Sequence, residues 1–292
     1  MYENTHFYSA NCFHKYIYKN SKKPFIMYSK KIAIILVMAV AALQFSGCSG
    51  GKGGGFNLFS PDQDMELGQQ TEAQIAADPK QFPVLPERGN EELYAYVRGI
   101  SNKLLNTGKV NYSDKFAWEI KIIDDPNTLN AFCTPGGYIY VYTGIIKFLD
   151  SEDQLAGVMG HEIAHAALRH STRQMSQVYG LAALSSVATG NANPGLLEQI
   201  ALGLVSLKFS RNHETEADAH SVIYLCETGY NAAGAAGFFK KMEGQATPPA
   251  FLSTHPNPGN RVENIEKKAR DMGCRGDRTN RVEYERMKRL IR

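Results

Sequence analysis

His161-Glu162-Ile163-Ala164-His165 constrains this chain more than any other stretch of it. Two imidazoles four positions apart on a helix return to within about 40° of one another around the axis, at roughly 100° per residue. Both then project from one face, and two neutral imidazoles on one face are what a single helix can offer a zinc ion. Glu162, one position on, is placed to take a proton from a water at that ion. The surrounding residues agree with a helix. Ser151 followed by Gln154 reads as a capping box, Glu152 and Asp153 suit a first turn, and the spacing predicts a helix running through His170.

A catalytic zinc takes three protein ligands and keeps one position open. Downstream, Glu214 and Asp218 stand four apart, again on one helical face. One carboxylate that binds the ion, and a second that orients a ligand histidine, is an arrangement such sites use. His170, His213 and His220 read as surface or helix-end residues and receive no role.

The rest of the chain predicts an α+β, mostly helical fold. Helices are expected at 62–77, 90–105, 213–227, 231–243, 258–271 and 282–291, and a strand at 117–123. Two strand-like runs, 129–133 and 138–142, are joined by the turn Thr134-Pro135-Gly136-Gly137, a hairpin signal. Tyr138, Tyr140 and Tyr142 read as strand packing. Two apolar pieces, 174–187 and 195–209, are too short to span a bilayer, which needs roughly 20 residues. They are core helices or a flap over the site, with a hinge at 189–195.

The start of the chain reads as a leader. Residues 1–47 hold six Lys and one acid, a surplus of five, so the formal net charge of +3 for the whole chain becomes a small deficit from Cys48 onward. No basic patch for nucleic acid remains. Ser29-Lys30-Lys31, the apolar run Ile32 to Leu43 and the small residues before Cys48 describe a secretory signal. A Cys directly after Ser46-Gly47 resembles a bacterial lipoprotein cleavage box, with Cys48 the lipidated residue. Residues 48–59, rich in Gly, are the expected tether, and 60–292 the expected folded domain.

The chain resembles the HtpX and CAAX-prenyl-endopeptidase-like zinc metallopeptidases, metallopeptidase family forty-eight of the gluzincin group. The matching residues are Asn130-Ala131-Phe132 with Pro135-Gly136-Gly137, then Gly160 to His165, then Glu214 and Asp218, then His255-Pro256 with Arg261. The resemblance implies a zincin-like domain whose small sheet lays an edge strand beside the active site. It implies one zinc per chain on His161, His165 and Glu214, with Glu162 as base and Asp218 behind a ligand histidine. It looks most like the periplasmic lipoprotein-type members, without the tetratricopeptide domain of some of them. Cys133 departs from the small residue usual in the family.

An edge strand binds an extended peptide through backbone groups, and Asn130, Ala131 and Phe132 are the candidates for that task. His255 and Arg261 are candidates for stabilising the oxyanion of the transition state, and His255 has an alternative role as an inhibitory fourth ligand. With Cys48 lipidated, Cys133, Cys226 and Cys274 remain in the mature chain. Cys226–Cys274 is the favoured disulfide because Cys133 lies in the expected substrate strand. The expectation is a zinc-dependent endopeptidase in the periplasm, lipid-anchored and sorted to the outer membrane. Unfolded or misfolded envelope proteins are its expected substrates, and an outer-membrane assembly machinery is a candidate partner. The rival is a zinc-stabilised chaperone or assembly factor without proteolysis.

Overall fold

Ser60 starts the first helix by a reciprocal cap: its hydroxyl accepts from Gln63 N–H while the Gln63 side chain accepts from Ser60 N–H. The computed structural model describes residues 56–178, 199–200, 203–243 and 250–291. Over these run α1 (Pro61–Ala77), α2 (Glu91–Leu105), β1 (Glu119–Ile123), β2 (Ala131–Thr134), β3 (Tyr138–Tyr142), α3 (Thr143–Phe148) and α4 (Glu152–Ala167). They continue with α5 (His170–Val178), α6 (Arg211–Cys226), α7 (Gly234–Met242), α8 (Phe251–Thr254), α9 (Arg261–Asp271) and α10 (Arg281–Lys288). The leader, Cys48 and the 189–195 hinge lie outside the described residues. From Gly55 the chain forms one compact unit. Leu58 N–H donates to Ser176 Oγ and Phe59 is buried, so residues 57–59, expected within the tether, are docked on α5.

The sheet has the order β1-β3-β2, with β1 parallel to β3 and the β2–β3 hairpin antiparallel. Period-two alternation sorts the faces of β3. Ile139 and Val141 join Ile120, Ile122, Ala131 and Cys133 in the main core against α2, α4, α6 and α7. Tyr138, Tyr140 and Tyr142 face the other way and pack with Phe132, Ile123, Phe82 and Ile75 of α1. Both faces are covered, so every residue of β3 is buried. The hairpin turn needs its glycines: Gly136 and Gly137 have φ of 77° and 89°, and a Cβ at Gly136 would sit 2.8 Å from Met65 Cα.

Helix α4 departs from its expected form at both ends. Ser151 makes no side-chain cap, and Gln154 Oε1 instead accepts from Asp150 N–H. Glu152 and Asp153 are buried rather than solvated. Glu152 accepts from Tyr96, Tyr230, Lys103 and Asn280, which anchors the helix start by tertiary contacts in place of the local cap. At the other end the helix stops at Ala167, not at His170. Arg169 adopts φ of 59°, and its guanidinium binds both Asp64 oxygens and Phe59 C=O, which holds the break. Its Nε–Oδ2 distance is 2.5 Å.

Close packing fixes α4 against its neighbours. A Cβ at Gly157 would lie 2.2 Å from Ala235 N, and one at Gly234 would lie 2.0 Å from Asp153 C=O. The disulfide Cys226–Cys274 joins the end of α6 to the segment after α9. Denaturant unfolding checks the contact between α4 and α7. Gly157→Ala is expected to lose about 1–3 kcal/mol by overpacking. Gly99→Ala in α2, where a Cβ meets nothing within 4 Å, is expected to gain about 0.5–1 kcal/mol of helix stability. Equal effects of the two substitutions would contradict the packing.

Candidate metal centre

Helix α4 delivers three side chains to the site because it is buried from Leu155 to Ala167 among β2, α6 and α7. His161 Nε2 and His165 Nε2 lie 2.9 Å apart, as their spacing predicts. Helix α6, capped by Ser210 on His213 N–H, adds Glu214. Its Oε2 is 3.4 Å from His161 Nε2 and its Oε1 3.4 Å from His165 Nε2. His255, at the C-terminal end of α8, completes the group, with Nδ1 3.2 Å from Glu214 Oε1 and 3.3 Å from His161 Nε2. One donor atom from each of these four buried residues lies within 4.8 Å of the others. Three imidazoles and a carboxylate in one buried cluster match the donor set of a zinc ion.

The groups behind the donors fix their orientation. Asp218 Oδ1 is 2.9 Å from His161 Nδ1, so Nε2 is left for the cluster. Arg261 grips Asp218 with Nε and one terminal nitrogen at 2.7 and 2.8 Å, and that nitrogen also reaches Glu214 Oε2 at 3.0 Å. The guanidinium carbon lies 3.9 Å from the Phe239 ring centroid. Phe209 lies 4.0 Å from His165 and Phe251 stacks on His255 at 4.2 Å, ring centroid to centroid.

Charge and burial set the protonation of the metal-free cluster. Burial alone would lower His161, but Asp218 and Glu214 outweigh it and raise its pKa to about 9. Burial lowers His165 well below the ordinary imidazole value. Burial opposes ionisation of Glu214, yet His255, His161 and His165 hold it far below the usual carboxylate range. Glu162 goes the other way: burial raises it against the pull of His255 and His161. Neither of its carboxylate oxygens makes a hydrogen bond, and the nearer is 3.6 Å from His255 Nε2. Such a carboxylate suits a general base. Burial and the charge of Glu162 raise the Cys133 thiol, and Cys133 is not one of the four residues whose donor atoms cluster.

Among the described residues β2 is an outer strand of the sheet, and it packs on α4. Asn130 precedes it with a buried, unbonded Oδ1, while Phe132 turns its ring onto Tyr140 at 4.6 Å. His170 and His213 stand at helix starts, but neither is a surface residue: both are buried and stacked at 4.4 Å. His170 Nδ1 stands 3.0 Å from His165 Nδ1 and its Nε2 3.1 Å from Glu216 Oε2. In an unbroken helix, five positions turn about 500°, which leaves His170 about 140° away from His165. The Arg169 break removes that offset. Arg169 gives no signal in the sequence that the helix stops there.

A model of peptidase family M48 matches residues 90–269. Mitochondrial metalloendopeptidase OMA1 of Schizosaccharomyces pombe is 36% identical over 197 residues, covering 63% of this chain and 57% of that protein. The beta-barrel assembly-enhancing protease of Escherichia coli is 27% identical over 234 residues, covering 74% of this chain and 46% of that protein. The chain thus spans only about half the length of these curated relatives.

Metal uptake is expected to depend on pH through His161. Its metal-free pKa is about 9, so below that pH a proton must leave before Nε2 can donate to a metal. Apparent zinc affinity should therefore rise with pH up to about 9, approaching tenfold per unit from this group alone. Competition with a chelator between about pH 6.5 and 9 measures it. A flat profile would show that His161 carries no proton in the metal-free chain.

Proposed function

The chain belongs to peptidase family M48, and from that premise we propose that it is a zinc-dependent endopeptidase. The observation that carries this reading is the pairing of a buried four-donor cluster with a buried, unbonded carboxylate, Glu162, beside it. A structural zinc site has no use for that carboxylate, which also disfavours a chaperone without proteolysis.

His161, His165 and Glu214 would hold the zinc in the working site, with His255 as a fourth donor at rest; with that fourth position open, the ion would lower the pKa of a water and polarise a peptide carbonyl. Glu162 takes the proton of the attacking water, for which both of its buried carboxylate oxygens are free. The same carboxyl then delivers the proton to the leaving amine. Asp218 fixes the tautomer of His161. Arg261 is a positioning residue: its bonds to Asp218 and Glu214 hold two carboxylates side by side and offset their charge. Asn130 precedes, and Ala131 and Phe132 begin, the outer strand that an extended peptide would join by backbone hydrogen bonds.

For His255 the position of Nδ1 among the donors favours the inhibitory role over oxyanion stabilisation. Four protein donors close the shell, and catalysis requires one to withdraw. His255 follows a four-residue helix, whereas the other three donors stand on sixteen-residue helices.

The substrates we propose are unfolded or misfolded envelope proteins, with attachment to the outer membrane through lipidated Cys48. The leader sequence supports export, and the Cys226–Cys274 disulfide suits an oxidising compartment. Among the described residues no helix is long and apolar enough to cross a membrane.

Cleavage of an unfolded protein, with and without chelator, tests the reading. Glu162→Gln should keep its zinc while losing at least about a hundredfold in rate, because an amide cannot accept the water's proton. His161→Ala should lose metal and activity together. Near wild-type cleavage by Glu162→Gln would sink the mechanism. His255→Ala should raise basal cleavage, and a fall would return His255 to the oxyanion role.

A further inference from the structure

His161 and His165 play the same part in the cluster, yet they are backed by different chemistry. Behind His161 stands a carboxylate, Asp218. Behind His165 stands a second imidazole, His170, fully buried, with Glu216 and then Arg173 beyond it. We propose that His170 is the positioning residue for His165, accepting its Nδ1 proton and thereby holding Nε2 to the metal. The inference rests on the reading of the donor cluster as a zinc site.

The tautomers along the chain follow from one another. A donor Nε2 on His165 carries no proton, so the proton of that ring sits on Nδ1. Nδ1 of His170 lies 3.0 Å away and must be the bare acceptor. The proton of His170 is then on Nε2, where Glu216 Oε2 receives it at 3.1 Å. Arg173 holds the same oxygen at 3.2 Å. His213 stacks on the His170 ring at 4.4 Å and an interplanar angle of 12°, which fixes the ring plane from one side.

Charge explains why an imidazole stands there. The cluster already contains Glu214 and Asp218, with Arg261 as the cation that touches both. A carboxylate at position 170 would add a further buried anion at the cost of its desolvation. A neutral ring supplies the lone pair without the charge. The anion that polarises the ring is moved outward to Glu216, whose side chain is 27% exposed and faces Arg173. The hydrogen-bond chain strengthens the acceptor because each bond polarises the next.

The test is zinc affinity by competition with a chelator, together with the visible spectrum of the cobalt-loaded chain. Denaturation of the metal-free protein reports folding separately. His170→Phe keeps a ring but no acceptor, and should weaken zinc binding by about 10–100-fold and shift the cobalt bands. His170→Asn places an amide oxygen where Nδ1 was, and should stay within about threefold of wild type. A folded His170→Phe that binds zinc as tightly as wild type would overturn the proposal, as would equal losses in Phe and Asn. Should His170→Phe not fold, Glu216→Ala decides: a severalfold loss in the wild-type background but none beside His170→Asn supports the relay, and equal losses overturn it. Affinity is read without substrate. A wild-type chain that binds zinc but cleaves nothing therefore removes the peptidase reading and leaves this one intact.

Discussion

Burial of like charges is the constraint on which the rest of this structure depends. Glu214 is fully buried and Asp218 nearly so, one helical turn apart, in a site walled by Phe209, Phe239 and Phe251. Two anions so placed are costly unless each is paired and hydrogen-bonded. Arg261 touches both, and His161 and His255 face them from the other side. The fold is arranged to bring those partners in. Helix α4 supplies the first histidines, α6 the carboxylates, the end of α8 the third histidine and the start of α9 the arginine. The disulfide ties the end of α6 to the segment just after α9, close to the two helices that share the Asp218–Arg261 pair.

The same constraint divides the labour between two kinds of support. Glu152 at the start of α4 and the Arg169–Asp64 pair at its end fix the helix as a rod. The two imidazoles on that rod are aimed from neighbouring helices, by Asp218 of α6 and by His170 at the start of α5. A donor atom is placed only when both its backbone and its ring plane are fixed, which is why positioning extends well beyond the atoms that meet a metal.

What was legible in the sequence follows from this division. The spacing of His161 and His165, and of Glu214 and Asp218, is helical periodicity acting inside one element, and a sequence displays it directly. The hairpin with its glycines and the three tyrosines on one face are equally local. His255 and Arg261 came from resemblance alone, because nothing near them in sequence says which distant element they meet. Ser151 fits the cap pattern through its neighbours, but Glu152 has four tertiary donors and the local bond is not made. His170 carries no such local signal, because its position depends on one residue in the left-handed region, held there by Asp64, more than a hundred positions earlier in the chain. Short helices such as α3 and α8 have too few residues for a period to appear.

X-ray absorption at the zinc edge, on the metal-loaded chain, reads the donor set of His161, His165, Glu214 and His255 itself. About one zinc per chain is expected, in a four-coordinate shell of nitrogen and oxygen at roughly 2.0–2.1 Å. Three imidazoles should contribute, falling to two in His255→Ala. A sulfur neighbour at about 2.3 Å, which would place Cys133 among the ligands, or a six-coordinate shell of oxygen, would contradict it.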